Sequence, residues 1–318
     1  MNYTELEQSR RARWRIAGGQ SPGQAPSEAA RPGAVRTLED ARDFIGSCGL
    51  CLMFPERSLL LPTLLGACAG SDEKLPAAKQ AYADPRVLEA RVLALRLARE
   101  RFAYRWPMPT GDNELLISAA AFPFFYALAA DMEGSQQPAW ATGEPLSQLV
   151  QDAWTAVRRE RKALSQSRLR DILGAVISPA ALERGLHQLW ARLRIVPVDY
   201  SEREGTVWQS VYRWAPAIMS EAAEFSHAAA LAALLSQYVE AAVAVEQVEV
   251  EATFSFLASR SRVREALNAL LAARELSVTQ VGRLTMLQVT PARVEFSPRR
   301  ARTPAAVPEG DRGGEKAK

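Results

Sequence analysis

Histidine and cysteine, on which many catalytic and metal sites depend, are scarce in this sequence. The 318 residues include two histidines and three cysteines. An odd number of cysteines in a chain of this length argues against a disulfide framework and fits a reducing compartment. Cys48 and Cys51 have the spacing of a metal or redox pair, but tetrahedral zinc needs four ligands, and Cys68 is the one other cysteine. We therefore interpret the cysteines as buried apolar thiols and predict neither a metal nor a cofactor.

Long apolar runs are absent as well. The longest apolar stretches, 49–54 and 59–69, are interrupted by prolines and charged residues and fall short of the roughly 20 residues that a membrane helix needs. The first residues lack the charged region followed by an apolar region that marks a secretory signal. We expect a cytoplasmic protein with no membrane partner. The paired glycines, Gly18–Gly19 and Gly313–Gly314, lie in segments predicted to be disordered, so no phosphate-binding glycine loop is expected.

One segment of the sequence occurs twice, with Ser178 corresponding to Ser259, a period of 81 residues. Ser178 and Pro179 are a typical cap and first turn of a helix. Three helices followed by a β-ribbon form a winged helix, a helix-turn-helix variant that commonly places its third helix in the DNA major groove. Trp190 and Leu271 share one repeat position, so both side chains are predicted to be nearly inaccessible to solvent. The buried stripe predicted for the third helix of the first copy is Leu182, Leu186, Leu189, Trp190 and Leu193.

The predicted fold class is α+β, mainly α, with tandem winged-helix domains. Residues 18–36 are rich in Gly, Pro, Ala, Ser and Gln and have too few large apolar side chains to form a core. Within the N-terminal part, prolines and a glycine predict a loop over 105–115, and an apolar helix is predicted over 116–128. The predicted divisions are a disordered arm over 1–36, in which a short helix around residues 6–16 is the alternative, an N-terminal helical, winged-helix-like domain over 37–144, winged helices over 145–216 and 217–296, and a disordered basic tail over 297–318.

The two copies of the repeat differ in charge. Residues 146–214 contain 11 basic and 7 acidic side chains, a net charge of +4, whereas residues 215–290 contain 5 basic and 8 acidic side chains, a net charge of −3. Neutralising phosphates requires clustered Lys and Arg. We therefore predict that the first copy binds double-stranded DNA, damaged DNA included. The acidic second copy is predicted to pack within the protein or to bind a protein partner.

Two groups of residues in the first copy are the predicted DNA contacts. Basic residues near the junction of its first and second helices are placed where a winged helix commonly meets the phosphate backbone. The exposed face of its third helix supplies the second group. The predicted contacts are Arg158, Arg159, Lys162, Arg168 and Arg170 in the first group and Arg184, His187, Gln188 and Arg192 in the second. Ordinary solvated helix faces are the alternative interpretation of both groups.

Several motifs carry a resemblance to a known family. The motifs are Leu38–Ile45, Gly49–Pro55, Leu61–Pro62, Phe122–Leu128, Leu193–Val198 and Val211–Pro216. Together they resemble AlkZ-related winged-helix proteins, a bacterial group similar to the AlkZ/YcaQ-like crosslink-repair DNA glycosylases. The resemblance covers roughly residues 37–290. It implies tandem winged helices arranged as in glycosylases that unhook alkylated bases and interstrand crosslinks.

The resemblance does not extend to the catalytic residues. Those glycosylases place a Gln-x-Gln or Gln-x-Asp motif shortly after the first helix, where it holds a water and stabilises charge at the departing base. Residues 37–79 contain no glutamine, and the corresponding Cys-Leu-Met-Phe stretch is apolar. Asp43 and Glu56 are the nearby acids that could substitute, although solvation alone commonly explains such carboxylates. Met53 and Phe54 are candidates for an apolar wedge against an unpaired nucleotide.

The sequence therefore supports three hypotheses of function. The leading one is a cytoplasmic DNA-binding protein, associated with the bacterial nucleoid when bound, that is related to base-excision DNA glycosylases but lacks their catalytic residues. The second is an active DNA glycosylase with a displaced catalytic acid. The third is a protein–protein interaction module that has lost DNA binding. Salt-dependent duplex binding separates the third from the others, and abasic-site formation on alkylated DNA identifies the second.

Overall fold

The computed structural model describes residues 1–16, 34–71, 75–109, 112–130, 146–174 and 176–291. A first helix, α1 (Tyr3–Arg13), is followed by three units that share one order of elements. In each unit a hairpin follows the third helix, and the second hairpin strand also pairs with an earlier short strand or bridge. No helix among these residues is long and apolar enough to cross a membrane.

The N-terminal unit is a helical unit with a three-stranded antiparallel sheet. It contains α2 (Leu38–Cys48), β1 (Leu50–Leu52), α3 (Leu64–Ala69), a 3-10 helix (Ala78–Ala83), α4 (Pro85–Arg99), β2 (Ala103–Pro107) and β3 (Glu114–Ser118). The strand order is β1-β3-β2. Thr37 begins α2 in a capping box with Asp40, in which each side chain accepts a hydrogen bond from the other residue's amide. The next element in the chain is α5 (Phe122–Ala129).

The central unit repeats this order. It contains α6 (Gln148–Arg159), β4 (Leu164–Ser165), α7 (Gln166–Leu173), α8 (Pro179–Ala191), β5 (Ile195–Ser201) and β6 (Gly205–Ser210). Its strand order, β4-β6-β5, matches that of the N-terminal unit. Ser178 caps α8 as predicted, because its hydroxyl accepts a hydrogen bond from the Ala181 amide. Two short helices follow, α9 (Val211–Trp214) and α10 (Ile218–Ala223).

The C-terminal unit repeats the order a third time. It contains α11 (His227–Ala242), α12 (Gln247–Thr253), a 3-10 helix (Phe254–Phe256), α13 (Arg260–Ala272), β7 (Leu276–Val281) and β8 (Leu284–Val289). An antiparallel bridge between Val245 and Leu287 takes the place of the first strand. α13 begins and ends 81 residues after α8, so the predicted repeat register is confirmed.

The same left-handed turn joins the third helix to the hairpin in all three units. Arg101, Leu193 and Arg274 have φ values of 63°, 57° and 61°, although none is a glycine. Each lies two residues after its third helix, and the following amide donates to a carbonyl of the last helical turn at 2.8 to 3.0 Å. This closure is a Schellman motif. The shared turn and strand order make the N-terminal unit a third winged helix, and the predicted tandem winged-helix class is confirmed.

The hairpin of the N-terminal unit corrects the predicted loop over 105–115 and the beginning of the predicted helix over 116–128. Those residues form most of β2, all of β3 and all but the last residue of α5, so the predicted helix is confirmed over Phe122–Leu128. Tyr104, Trp106 and Leu115 are fully buried, so packing decides the local structure despite the nearby prolines. Pro107 is the last residue of β2, an outer strand, where its missing N–H costs little pairing.

The N-terminal helix, α1, lies three residues earlier than the short helix considered around residues 6–16, and it corrects the predicted disorder of the first part of the arm over 1–36. α1 docks on the C-terminal end of α11, where helix carbonyls lack intrahelical partners. Arg10 is 6% exposed and donates to the carbonyls of Ala242 at 3.2 Å and Ala244 at 2.7 Å, and the Trp14 indole donates to the Ala241 carbonyl. These bonds and the buried Leu6 anchor the helix. The rest of the predicted arm, 17–33, and the predicted tail, 297–318, lie outside the described residues.

The N-terminal and central units pack through reciprocal contacts of their third helices and hairpins. The Trp106 indole donates to the Ala191 carbonyl at the end of α8, at 2.9 Å, and the Tyr104 hydroxyl donates to the Ile195 carbonyl of β5, at 2.8 Å. In the opposite direction α4 lies against β5, and the Trp214 indole donates to the Ala98 carbonyl of α4. The outer hairpin strand of each unit is thus covered by the third helix of the other.

The burial of the equivalent positions Trp190 and Leu271 differs. Trp190 is 8% exposed, as predicted. Leu271 is half-buried, so the prediction that it is nearly inaccessible was wrong. The physical reason is that α8 has the N-terminal unit against its last turn, whereas the stripe of α13 consists of Val263, Leu267 and Leu270, with Leu271 at its margin.

Candidate nucleic-acid interface

Five basic side chains of the central unit form the main candidate surface, called here the central basic surface. They are Arg158, Arg159, Arg161, Lys162 and Arg168, and all are exposed. They lie in the last turn of α6, in the connection to β4 and in the first turn of α7, which are neighbouring elements. Two of them also interact favourably with the negative end of the α6 dipole.

None of these five side chains makes an ion pair within the part of the chain that the structure describes. Two basic residues of the other units contrast with this. Arg105 pairs with Glu114 at 2.7 Å, and Arg264 pairs with Glu251 at 2.9 Å. The hydrogen bonds from Arg264 lower the pKa of Glu251. The central basic surface therefore has positive charge available for an anionic partner.

Two further arginines lie next to this surface and are less exposed. Arg170, a predicted DNA contact on α7, is half-buried, and its buried Nε atom has no hydrogen-bond partner among the described residues. The Nε atom of Arg213 is also buried without a partner, while its Nη2 atom donates to the Arg158 carbonyl at 3.3 Å. The bond from Arg213 joins α9, which follows the hairpin, to the last turn of α6.

The third helix of the central unit presents a shorter face than predicted. Glu183, Arg184, His187 and Gln188 are exposed on the first three turns of α8. Arg192 is half-buried, because the last turn of α8 packs on β2 of the N-terminal unit. A groove-reading contact by α8 is therefore confined to its N-terminal part.

The stretch that corresponds to the glycosylase motif is buried in this structure. Cys51 and Leu52 are 0% exposed, and Met53 and Phe54 are 2% and 3% exposed. Met53 is held by a hydrogen bond from its amide to the Glu114 carbonyl at 2.8 Å. The predicted nucleotide wedge of Met53 and Phe54 is therefore corrected, since neither side chain presents a surface to a base.

Two polar side chains near this stretch were missed by sequence reasoning because they come from distant parts of the chain. Asn113 is 5% exposed, and its side chain accepts from the Phe54 amide at 3.1 Å and donates to the Phe54 carbonyl at 2.9 Å. These two hydrogen bonds hold the backbone of Phe54 in place. Gln237 of α11 packs on Gly49, whose φ is +72° and where a Cβ atom would come within 2.2 Å of the Gln237 Cδ.

The two candidate acids lie on the surface. Asp43 is exposed in the middle of α2 and pairs with its neighbour Arg42 at 3.2 Å. Glu56 is exposed and accepts a hydrogen bond from Ser58 at 3.3 Å. Neither carboxylate is in the low-dielectric setting that adapts an acid for proton transfer.

All three cysteines are free and buried, which confirms their interpretation as apolar thiols. Burial raises the pKa of Cys48 from 9.0 to about 11 and that of Cys68 to about 12. The pKa of Cys51 is raised as well, by burial and then by the neighbouring thiols. Among the described residues, no group of three or more His, Cys, Asp or Glu is placed to hold a metal ion.

Because the pKa values of these thiols are raised in the folded state, we expect the folded state to lose stability as the pH rises above about 9. Between the ordinary pKa of 9.0 and the raised values, folded thiols keep protons that the unfolded chain releases. The free energy of unfolding should therefore fall by up to about 1.4 kcal/mol per pH unit for each thiol. Urea unfolding from pH about 8 to pH about 10, below most tyrosine ionisation, measures this. A Cys48→Ala, Cys68→Ala variant should show a shallower slope, and an unchanged slope would contradict the assignment.

No protein-family model matches the chain, and no curated protein matches its sequence. Among solved structures, the DNA glycosylase AlkZ of Streptomyces sahachiroi is similar, with a TM-score of 0.50 and 14% sequence identity. The match covers 91% of this chain and 70% of that chain. At this identity the likeness concerns the fold. The chain is therefore similar to AlkZ in its overall fold.

Proposed function

We propose that this protein binds double-stranded DNA through the central basic surface and does not excise bases by the glutamine-dependent route. The observation that carries the proposal is the set of five exposed basic side chains without ion pairs in the described chain. Phosphate oxygens are the partners that such clustered charge favours. The exposed part of α8 lies on the same unit and is the candidate for contacts in the groove.

The fold likeness to AlkZ supports a nucleic-acid partner and a relation to DNA repair. AlkZ is a DNA glycosylase with which this chain shares its overall structure. Damaged DNA is therefore included among the proposed ligands. The proposed location is the bacterial cytoplasm, on the nucleoid when DNA is bound.

The absence of a polar group at the motif stretch supports binding without turnover. Excision by that route needs a side chain beside the sugar that orients a water and stabilises developing positive charge. Cys51 and Met53 supply no such group and are buried. The side-chain oxygen and nitrogen of Asn113 are both engaged by the Phe54 backbone.

Fluorescence anisotropy with a labelled duplex tests the binding proposal. The logarithm of the association constant should fall linearly with the logarithm of salt concentration. The slope should be roughly −4.5, since each neutralised phosphate contributes about −0.9 and five side chains are available. A protein that fails to bind duplex at low salt would overturn the proposal and favour the protein-interaction hypothesis, with a partner for the acidic C-terminal unit.

A base-release assay is expected to show no activity. Groups that stabilise charge in such a transition state typically contribute about 2–4 kcal/mol each, and this chain lacks them at the motif stretch. Duplex containing a 7-methylpurine or a nitrogen-mustard crosslink is incubated with the protein and then treated with hot alkali. Protein-dependent cleavage would contradict this prediction. The variants Asp43→Asn, Glu56→Gln and Gln237→Ala would then identify the displaced group.

A further inference from the structure

The outer hairpin strand of the C-terminal unit, β7, is an uncharged sheet edge. Its sequence, Leu-Ser-Val-Thr-Gln-Val, contains no Lys, Glu or Pro of the kind that protects sheet edges. Val278 is 56% exposed on this strand. α1 packs on one face of the hairpin through Leu6, Val281 and Met286. The helix thus covers a face of the hairpin.

The backbone groups of alternate β7 residues point away from the hairpin. Leu287 exchanges both of its backbone hydrogen bonds with Val245, at 2.8 and 3.0 Å, so its polar groups face away from β7. Val278 is opposite Leu287 and is therefore in a non-hydrogen-bonded pair. Alternation places Leu276 and Gln280 in the same orientation. No backbone hydrogen bond to the outward groups of these three residues is made within the described chain.

The equivalent strands of the other two units do not have a free side. β2 is covered by α8, and β5 is covered by α4, through the reciprocal packing of the N-terminal and central units. The principal contacts of β7 are with β8 and α13 of its own unit. The N-terminal and central units cover each other's outer strands. The C-terminal unit, to which β7 belongs, does not take part in this exchange.

We propose that β7 is a self-association edge, which pairs antiparallel with β7 of a second copy of this chain around a two-fold axis at Thr279. A two-fold axis brings the same surface of each copy together. Residues whose backbone N–H and C=O groups point outward must lie opposite one another in the two copies. Because such residues alternate along β7, the two-fold axis must pass through a residue. An axis between two residues would place outward-pointing groups opposite inward-pointing ones. Centred on Thr279, Val278 of one copy forms hydrogen bonds with Gln280 of the other.

Charge selects this register. With the axis at Thr279, Glu275, one residue before β7 in each copy, lies at the same end of the paired strands as Arg283, which is in the turn after β7 of the other copy. Both side chains are exposed and flank β7, Glu275 one residue before it and Arg283 in the turn two residues after it, so they do not pair within one hairpin. The two Thr279 side chains also meet at the axis. Moving the axis to Val278 would place Glu275 opposite Val281 and lose both ion pairs.

The association should be reversible and weak. Two paired strands bury less surface than the roughly 1,200 Å² typical of stable complexes. Sedimentation velocity of the full chain over a concentration series should therefore show a monomer–dimer equilibrium rather than a fixed dimer. The copies associate through the C-terminal unit, so the equilibrium should persist in variants of the central basic surface.

A charge exchange tests both the edge and its register. Arg283→Glu and Glu275→Arg should each weaken dimerisation about tenfold or more, because each change turns two attractive contacts into repulsive ones. The double variant Glu275→Arg, Arg283→Glu should restore it, since the opposite charges face each other again. Arg274→Glu, on an exposed neighbour outside the strand, is the matched control and should leave dimerisation unchanged.

Three results would overturn the proposal. The first is a parent protein that stays monomeric at every attainable concentration. The second is a dimer unaffected by Arg283→Glu. The third is failure of the double variant to regain association while circular dichroism shows native helix content. Val278→Lys gives a separate check, because it places two like charges near the axis at an already exposed position and should abolish the dimer without loss of folding.

Discussion

Reversing Arg158, Arg159 and Lys162 to Glu is expected to weaken duplex binding by about a hundredfold or more at moderate salt. The reason is that three phosphate contacts are lost and three repulsive charges replace them. The salt dependence should become flatter by about 0.9 for each lost contact, a change of roughly 2.7 in the slope. Anisotropy titrations of parent and variant over the same salt series measure both quantities. All three side chains are exposed, so the variant should fold normally.

The control for this experiment comes from the C-terminal unit. Arg264 is unsuitable, because it pairs with the buried carboxylate of Glu251. Its reversal to Glu would break that ion pair and destabilise the unit. Arg260 and Arg274 are exposed and make no ion pair within the described residues, so Arg260→Glu with Arg274→Glu is the matched change. Equal losses from both variants would show that net charge, rather than the central basic surface, governs binding.

The repeat made the central and C-terminal units predictable from the sequence. Apolar residues at helical spacing in both copies define the same buried stripe, and Ser178 and Ser259 cap the same helix in each. At these positions the local capping signals and the long-range packing of apolar side chains favour the same helix. The period therefore predicted α8 and α13 to within a few residues of their observed ends.

The hairpin of the N-terminal unit escaped prediction because its local sequence disagrees with its packing. Pro107 and Pro109 favour a loop, and the strands lack a polar face. Tyr104 and Trp106 of β2 face one hydrophobic core. Leu116 of the neighbouring strand β3 faces a second core on the other side of the sheet. A strand buried on both faces loses the alternation that marks a hairpin.

The burial of the motif stretch has the same origin. Leu50 and Leu52 face the core shared with the central unit, whereas Cys51 and Met53 face the core of the N-terminal unit. An apolar stretch of this length is compatible with an exposed wedge or with a buried strand, and sequence alone does not distinguish them. The deciding contacts come from Asn113 and Gln237, which are brought close only by folding.

The aromatic junction between the N-terminal and central units gives the second large expected effect. Trp190 is at its centre, with Trp208 edge-on at 5.7 Å between ring centroids and the Arg105 guanidinium 5.8 Å from its ring. Its indole also donates to the Arg105 carbonyl at 2.5 Å. Leu271 occupies the equivalent position in the C-terminal unit and is half-buried, and the principal contacts of its helix within the described chain are with its own unit.

Trp190→Ala is therefore expected to lower the free energy of unfolding by about 3–5 kcal/mol, through lost burial, a cavity at the junction and an unpaired Arg105 carbonyl. Leu271→Ala should cost about half as much or less, because solvent already reaches its side chain. Urea unfolding, followed by circular dichroism and by tryptophan fluorescence, measures both variants. Trp190→Phe should recover part of the loss by refilling the cavity. Equal costs for the two alanine variants would mean that the contact between units does not distinguish the repeats energetically.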